Sequence, residues 1–530
     1  MSTASLDTGL PLDETLDQAR ERHRREWLGF LAISMGSFIA ILDIQIVASS
    51  INQIQAGLSA SADEIQWVQT AYLIAEVIAI PLSGYLSRLL STRLYFTLSA
   101  LGFTLASLAC ALAWDLPSMI LFRTLQGFLG GGMIPTAFAA MFLLFPEAKR
   151  RALPQLIGGL MAILAPSIGP SVGGYLTGIA SWHWLFLVNL GPGLLCAWGV
   201  WSTVRLDQPQ PQIFKLTDWP GLAFLALFLG CLTYALDEGP RVDWLANRSV
   251  ALCLLLAALG GALFFWRMFS CDHPIVDLRA FRNRNFALTS LVSLVLGMSM
   301  FTLIYLTPLF LGRVRGYSAL QIGEVMAVQG MAMFLTAPLA GRLSRRMDPR
   351  QVIAVGLVLV ATGSWLNGHM SADWGHAQFL WPQVLRGAGM IFAFIPMTNL
   401  ALGTLPSEAV KNASGLYTVT RNLGGAIGLA LVGTLLNGRL WLHWQDLAAT
   451  LHSERSGVYD YLHGAAAQLG PGGESDPRAL GLLNQLAQQQ ALTMAYNDMY
   501  LLLSALVAAT LLLVPLIEKP RPDTEVGVAH

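Results

Sequence analysis

The chain has 530 residues, of which 54% are hydrophobic and only 12% are Asp, Glu, Lys or Arg. A soluble globular chain carries roughly 25% charged residues, so this composition points to a bilayer protein and excludes an ordinary soluble enzyme. Thirty-two basic residues balance thirty-two acidic ones, which excludes bulk electrostatic binding of nucleic acid, and the apolar content excludes disorder.

A helix rising about 1.5 Å per residue needs about 20 apolar residues to cross about 30 Å of hydrocarbon. Fourteen segments meet this need, at approximately 27–50, 65–87, 94–113, 117–145, 152–178, 184–204, 219–237, 249–269, 287–311, 318–342, 351–369, 379–404, 412–437 and 494–517. None alternates with the period of two that a transmembrane β-barrel requires. The predicted class is therefore an all-α membrane protein with 14 transmembrane helices. With the N-terminus inside, 22 of the 32 Lys and Arg fall in inner segments, seven in outer loops and three in spans. Basic residues are retained on the cytoplasmic side, so both termini are expected there. No cysteine falls in an outer loop, and no disulfide is expected.

The N-terminal tail, 1–26, carries Arg20, Arg22, Arg24 and Arg25, and its stretch from Asp13 to Glu26 is expected either to lie as a helix on the inner leaflet or to be a solvated tail. Span 1 contains Asp43, and span 2 contains Tyr72 and Glu76. The end of span 2, Pro81 to Arg93, returns at the end of span 10, Pro338 to Arg350, with seven of thirteen positions identical; Gly84 and Arg88 correspond to Gly341 and Arg345. Span 4 carries Arg123, Gln126 and Gly127, echoed in span 12 by Gln383, Arg386 and Gly387. Span 5 carries Gly158, Ala165, Pro166, Gly169, Pro170, Gly173 and Gly174; small residues at helical spacing let a neighbouring helix approach closely. The repeats divide the chain into a six-helix half at 27–205, two inserted helices at 206–270, a cytoplasmic linker at 271–286, a second six-helix half at 287–517 and a C-terminal cytoplasmic tail at 518–530. The second half holds Tyr305, Glu324, Arg386, Arg421 and many Met and Phe residues suited to an adaptable apolar pocket. Its polar loop, 438–493, is expected to form a periplasmic helical hairpin. One arm runs over 440–469, and the second, capped by Asp476 and opened by Pro477, reaches Gln490.

These strings resemble the major facilitator superfamily. R-x-x-Q-G at Arg123 to Gly127 is similar to its motif B, and Ala165 to Gly174 is similar to motif C of its antiporters. Fourteen spans, Leu42 to Val47, Trp182 to Gly193 and His273 to Phe286 resemble the drug/proton antiporter branch of the EmrB/QacA type. The resemblance implies two six-helix halves enclosing a midplane substrate site. It also implies exchange of protons for small amphipathic compounds such as drugs, dyes and toxic lipophiles across the inner membrane. A membrane-fusion adaptor and an outer-membrane channel are the implied partners, docked on the 438–493 hairpin, which otherwise lids the cavity. In the loop motif, Arg88 stands where many members have Asp and Ser91 where they have Gly, which puts a latch built on that Asp in doubt.

Ionisable groups at membrane depth are costly and mark function or structural pairing. Asp43 and Arg123 are expected to pair, either as a coupling element disturbed by proton or substrate entry or as a structural ion pair. Glu76 is expected to anchor substrate or carry the proton, or to tie span 2 to a neighbour. Glu324 is a candidate for proton coupling or an outer gate, Tyr72, Tyr305, Arg386 and Arg421 are candidates for the pocket, and Asp498 is expected to be solvated near a helix end. No phosphate-binding G-x-x-x-x-G-K-[ST] loop is present and all nine His lie outside span interiors. The expectation is a transporter without cofactor or metal, not an enzyme. The alternatives are an exporter of one metabolite, such as a siderophore or fatty acid, and a non-transporting receptor or scaffold.

Overall fold

The computed structural model describes residues 16–61, 64–271, 274, 276–451, 458, 460–464 and 477–518. All regular elements among them are helical. The long helices are α1 (Leu16–Ser49), α2 (Trp67–Leu90), α3 (Thr92–Ala111), α4 (Leu116–Gly131, resuming after Gly132 as Met133–Leu144), α5 (Ala148–Ile179), α6 (Leu190–Thr203), α7 (Trp219–Glu238), α8 (Arg248–Ser270), α9 (Arg284–Arg313), α10 (Ala319–Arg346), α11 (Pro349–Asn367), α12 (His376–Gly403), α13 (Ser407–Thr450) and α14 (Pro477–Thr510). Thirteen of these regions are long and apolar enough to cross a membrane by length and composition. The remaining long helix, α5, has 32 residues and packs along α1 and α10.

The turns are set by local chemistry. Asp115 and Ser118 form a capping box at the start of α4, with Pro117 in the first turn. Ser318 and Gln321 do the same for α10, and Asp218, Asn283 and Asp348 accept backbone N–H groups at the starts of α7, α9 and α11. Each cap satisfies donors that would otherwise be orphaned at the helix end.

Packing repeats across the two halves. In the first half α1 packs on α5 and α6, α2 on α4, and α3 on α4 and α6. In the second half α9 packs on α13 and α14, α10 on α12, and α11 on α12 and α14. The halves meet where α2 lies against α13 and α5 against α10. The inserted helices α7 and α8 pair with each other, and α7 leans on α2, where Thr70 Oγ1 donates to the Asp237 carboxylate.

Three expectations are corrected. The basic N-terminal stretch does not form a separate surface helix: from Leu16 it is continuous with span 1 in one 34-residue helix, which contains no proline. The first arm of the outer hairpin is likewise the continuation of α13, which runs to Thr450; residues 458 and 460–464 of the expected arm are also helical, and Leu469 lies outside the described residues. Pro477 opens the other arm, which runs unbroken into α14; Asp476 lies outside the described residues. Asp498 is not simply solvated: it accepts from His443 Nε2 at 2.8 Å and lies 3.6 Å from Arg439 Nη1, joining α13 to α14.

Ser91, between α2 and α3, has φ +75° and ψ 151°, a region tolerated almost only by glycine at a cost of about 1–3 kcal/mol. Its hydroxyl partly compensates by accepting from Leu94 N at 3.4 Å. Replacing Ser91 with Gly should relieve the strain, lose only a few tenths of a kcal/mol of capping, and raise the thermal unfolding midpoint of the purified protein. An unchanged or lowered midpoint would contradict this account.

Candidate functional site

The sequence places one guanidinium deep in α4, and the fold surrounds it completely. Arg123 and Asp43 are both fully buried, with Arg123 Nη1 2.6 Å from Asp43 Oδ2. The same Nη1 donates to Gln126 Oε1 at 2.6 Å, and Nε donates to the Val68 carbonyl of α2 at 3.1 Å. The other Asp43 oxygen accepts from Asn189 Nδ2 at 2.6 Å and from Gln126 Nε2 at 3.0 Å, while Gln126 Nε2 also reaches Ser107 Oγ at 2.7 Å. The Tyr72 ring lies 4.2 Å from the guanidinium carbon. Asn189, Ser107 and Gln126 thus complete a network spanning α1, α2, α3, α4 and the entrance to α6. Close approach makes it possible: a Cβ on Gly127 would strike the Tyr72 carbonyl, and one on Gly131 would come within 2.7 Å of the Glu76 carbonyl.

A cavity of about 150 Å³ lies between the halves. Glu76 and Arg421 line it and are its only ionisable lining residues among those described. The rest of the wall is mainly apolar, with Met300, Phe301, Met333, Met390, Phe394 and Met397 opposite Ile41, Leu73 and Ile134. Arg421 sits at the floor with its guanidinium carbon 5.5 Å from the Phe394 ring and 5.9 Å from that of Phe138, and its Nε is buried without a hydrogen-bond partner.

Residues 33–429 match the Major Facilitator Superfamily. The chain belongs to this superfamily. It is 43% identical to a protein described as "Colistin resistance protein EmrB" from Acinetobacter baumannii, over 93% of this chain and 97% of that one. It is 28% identical to the "Multidrug export protein EmrB" of Escherichia coli K12, over 89% of this chain and 91% of that one. The human organic anion transporter MFSD10 (TETRAN) shares its fold, with a TM-score of 0.55 at 13% identity over 91% of this chain and 99% of that one. The chain is accordingly an EmrB-like, multi-pass membrane protein of the superfamily.

Within this superfamily fold the candidate residues separate. Asp43 and Arg123 meet, but in a network walled off from the cavity, whereas Glu76 and Arg421 line the cavity. Tyr72 is not a pocket residue, being fully buried beneath Arg123. Tyr305 is also excluded from the wall, 46% exposed on the outer surface of α9. Arg386 is buried within the second half, where its Nη2 donates to Gln383 Oε1 at 2.6 Å. Glu324 is more than half exposed, 3.3 Å from His376 Nε2, and does not line the cavity. Among the small residues of α5, Gly169 packs against Gln45 of α1, Ala165 is buried, and Thr177 Oγ1 donates to the carbonyls of Gly173 and Gly174. Gly158 faces a second, smaller cavity. The side chains of Pro166, Pro170 and Arg345 lie outside the described set.

At the end where α1 begins and α14 finishes, the halves are closed against each other. A Cβ on Gly84 would come within 2.9 Å of the Lys411 and Asn412 backbone, whereas one on Gly341 would meet open space. Arg88 folds back on the Gly84 carbonyl at 3.3 Å. The carboxylate that the loop motif lacks is supplied by Asp207: it accepts from Thr92 N through both oxygens, at 3.0 and 3.1 Å, and from Lys411 Nζ of the other half at 2.6 Å. Gln155 and Asn399 add a reciprocal amide pair between α5 and α12. Sequence reasoning missed Asn189 as a partner of Asp43, and also Asp207, Lys411, Gln155 and Asn399. The signal available was polar side chains within or beside apolar runs, but their partners lie far away in sequence.

Removing one member of a buried ion pair leaves an uncompensated charge at about 3–5 kcal/mol. Asp43→Asn alone and Arg123→Gln alone should therefore each depress the yield and unfolding midpoint of the purified protein sharply. The double variant should recover a large part of the loss. Simple additivity of the two single effects would show that the pair is not the organising contact.

Proposed function

We propose that this chain is a proton-coupled multidrug exporter of the inner membrane, with both termini cytoplasmic, that carries small amphipathic compounds outward. The observation that carries the reading is a mostly apolar cavity between the halves with one buried carboxylate, Glu76, on its wall. An apolar wall rich in Met and Phe can repack around different cargoes. The names of the EmrB relatives support drugs as cargo.

In this reading Glu76 is the proton carrier and Asp43 with Arg123 is the rigid support that orients α1, α2 and α4 around it. Antiport requires that cargo and proton exclude one another, and one carboxylate facing both cargo and Arg421 provides this. Protonated, Glu76 loses its attraction for a cationic or hydrogen-bond-donating cargo; ionised, it regains it. The closed end is then cytoplasmic, and the conformation is outward-facing. The extensions of α13 and α14 expose Trp441, Leu442, Leu480 and Leu482, with Trp441 stacked on Trp444 at 5.4 Å. That apolar stalk supports docking of a periplasmic adaptor leading to an outer-membrane channel.

Two expectations follow. Glu76→Gln should lower proton-driven efflux of ethidium from proteoliposomes at least tenfold and abolish the proton release that accompanies ethidium binding. Retention of both would remove Glu76 from the coupling step. Lys411→Met should weaken the closed end, so that spin labels at Ser202 and Glu408, at that end of the two halves, show a larger population of long distances by double electron–electron resonance. An unaltered distance distribution would mean that Asp207 and Lys411 do not hold that end shut.

A further inference from the structure

One residue on the wall of the central cavity comes from outside the two halves: Thr233 of α7. It reaches the cavity through the seam between α2 and α13. Toward the closed end these two helices touch, since a Cβ on Gly84 would come within 2.9 Å of the Lys411 backbone and one on Gly415 within 3.1 Å of the Ile80 carbonyl oxygen. Farther along both border the cavity, with Leu73 and Val77 on α2 and Ala426 and Leu429 on α13. There α7 packs on both of them. Behind it α8 packs on α7 and on the turn at Trp244–Ala246, leaving Leu252, Leu255 and Trp266 exposed on its far side. The order from inside to outside is cavity, α7, α8, lipid.

The seam is fastened along both edges. On the α2 side the Tyr234 ring stacks on Trp67 at 5.3 Å, Thr70 Oγ1 donates to the Asp237 carboxylate, and a Cβ on Gly230 would meet Ile74 and Ile78 at 3.5 Å. Near the closed end Tyr85 and Thr217, two residues before α7, share a hydrogen bond between their hydroxyls. On the α13 side Trp244 Nε1 donates to Thr434 Oγ1 at 2.9 Å, and Pro240 lies 3.1 Å from where a Cβ on Gly433 would stand. These fastenings matter because lipid tails are as apolar as the Leu, Ile and Met side chains of the wall. An open seam would offer an amphipathic molecule no barrier to leaving sideways, and acyl chains entering through it would strip water from Glu76 and Arg421 at a cost of several kcal/mol for each unpaired charge.

We infer that α7, backed by α8, is the lateral wall of the central cavity: it seals the seam between α2 and α13 against the bilayer and presents Thr233 to the molecule that occupies the cavity. The inference rests on the export reading for the identity of that occupant and deepens it. Cargo confined by α7 leaves along the cavity instead of sideways into the membrane from which it is being cleared.

The test uses the full chain in nanodiscs, with the native cysteines replaced by alanine and a bimane fluorophore attached through Leu429→Cys on the cavity wall. Emission is compared in lipid with and without a doxyl group on the acyl chain. Doxyl lipid should quench this label at least fourfold less than one attached through Leu255→Cys on the exposed face of α8. Gly230→Leu, which wedges α7 away from α2, and Trp244→Ala, which frees the turn after α7 from α13, should each raise the quenching at Leu429→Cys at least twofold. Equal quenching at the two labelled positions, or no rise in either variant, would overturn the wall. In the unlabelled chain Thr233→Trp should weaken ethidium binding at least tenfold, and Thr233→Leu serves if that variant does not fold. Undiminished binding would remove Thr233 from the surface that cargo meets. Ethidium transport by the wild-type protein in proteoliposomes is measured beside this. Its absence would overturn the export reading, while the quenching ratio still decides whether α7 is a wall.

Discussion

A guanidinium that cannot give up its proton, placed at membrane depth, has to be answered from inside the protein. Arg123 is answered by Asp43, and Asp43 in turn by Asn189 and Gln126, so one charge recruits side chains or carbonyls from α1, α2, α3, α4 and the entrance to α6. The glycines of α4 allow α2 to come close enough for the Val68 carbonyl and the Tyr72 ring to join. Glu76 lies one turn beyond Tyr72 on the same helix and packs against Gly131. The position of the cavity's carboxylate is thus a by-product of how the ion pair is satisfied.

The second half meets the same problem with fewer partners. Arg386 has Gln383 and, at 5.7 Å, the Tyr500 ring, but no carboxylate within salt-bridge distance among the described residues, and its Nε and Nη1 are unpartnered. The halves repeat in helix packing yet differ in electrostatics. The first is cross-linked by a fully buried charge pair; the interior of the second is held by apolar packing and neutral hydrogen bonds such as that of Tyr500 with Thr307, and its contact of Asp498 with His443 and Arg439 lies toward the exposed end of α13. The halves share a helix arrangement and differ at a few buried positions.

The fold was legible because bilayer thickness writes itself into apolar run length, and because the exchange of Arg and Gln between spans 4 and 12 marked corresponding helices. The pairing of Asp43 with Arg123 followed from the cost of burying either alone. What was not legible was rotational phase. A helix that is apolar on every side gives no sign of which face meets lipid, so Tyr305 and Glu324 face outward and Tyr72 faces the ion pair. The substitute carboxylate at Asp207 escaped notice because it lies more than a hundred residues from Thr92, the group it caps. The stretches from Leu16 and up to Thr450 were expected to be helical, but their continuity with the spans was not. Polar turns continue a helix as readily as apolar ones when no proline or glycine motif stops them.

The unbroken course of α13 carries a mechanical meaning. Its 44 residues contain no proline, and at about 1.5 Å per residue they make a rod of roughly 66 Å, more than twice the hydrocarbon thickness. Lys411 and Asn412 sit near one tip, Arg421 a few turns along, and His443 near the other tip. In the export reading such a rod would act as a lever with its fulcrum beside the cavity. A tilt that freed the short arm at Lys411 would sweep the longer arm through a larger arc, so that the far end of α13 would follow each opening without any separate relay.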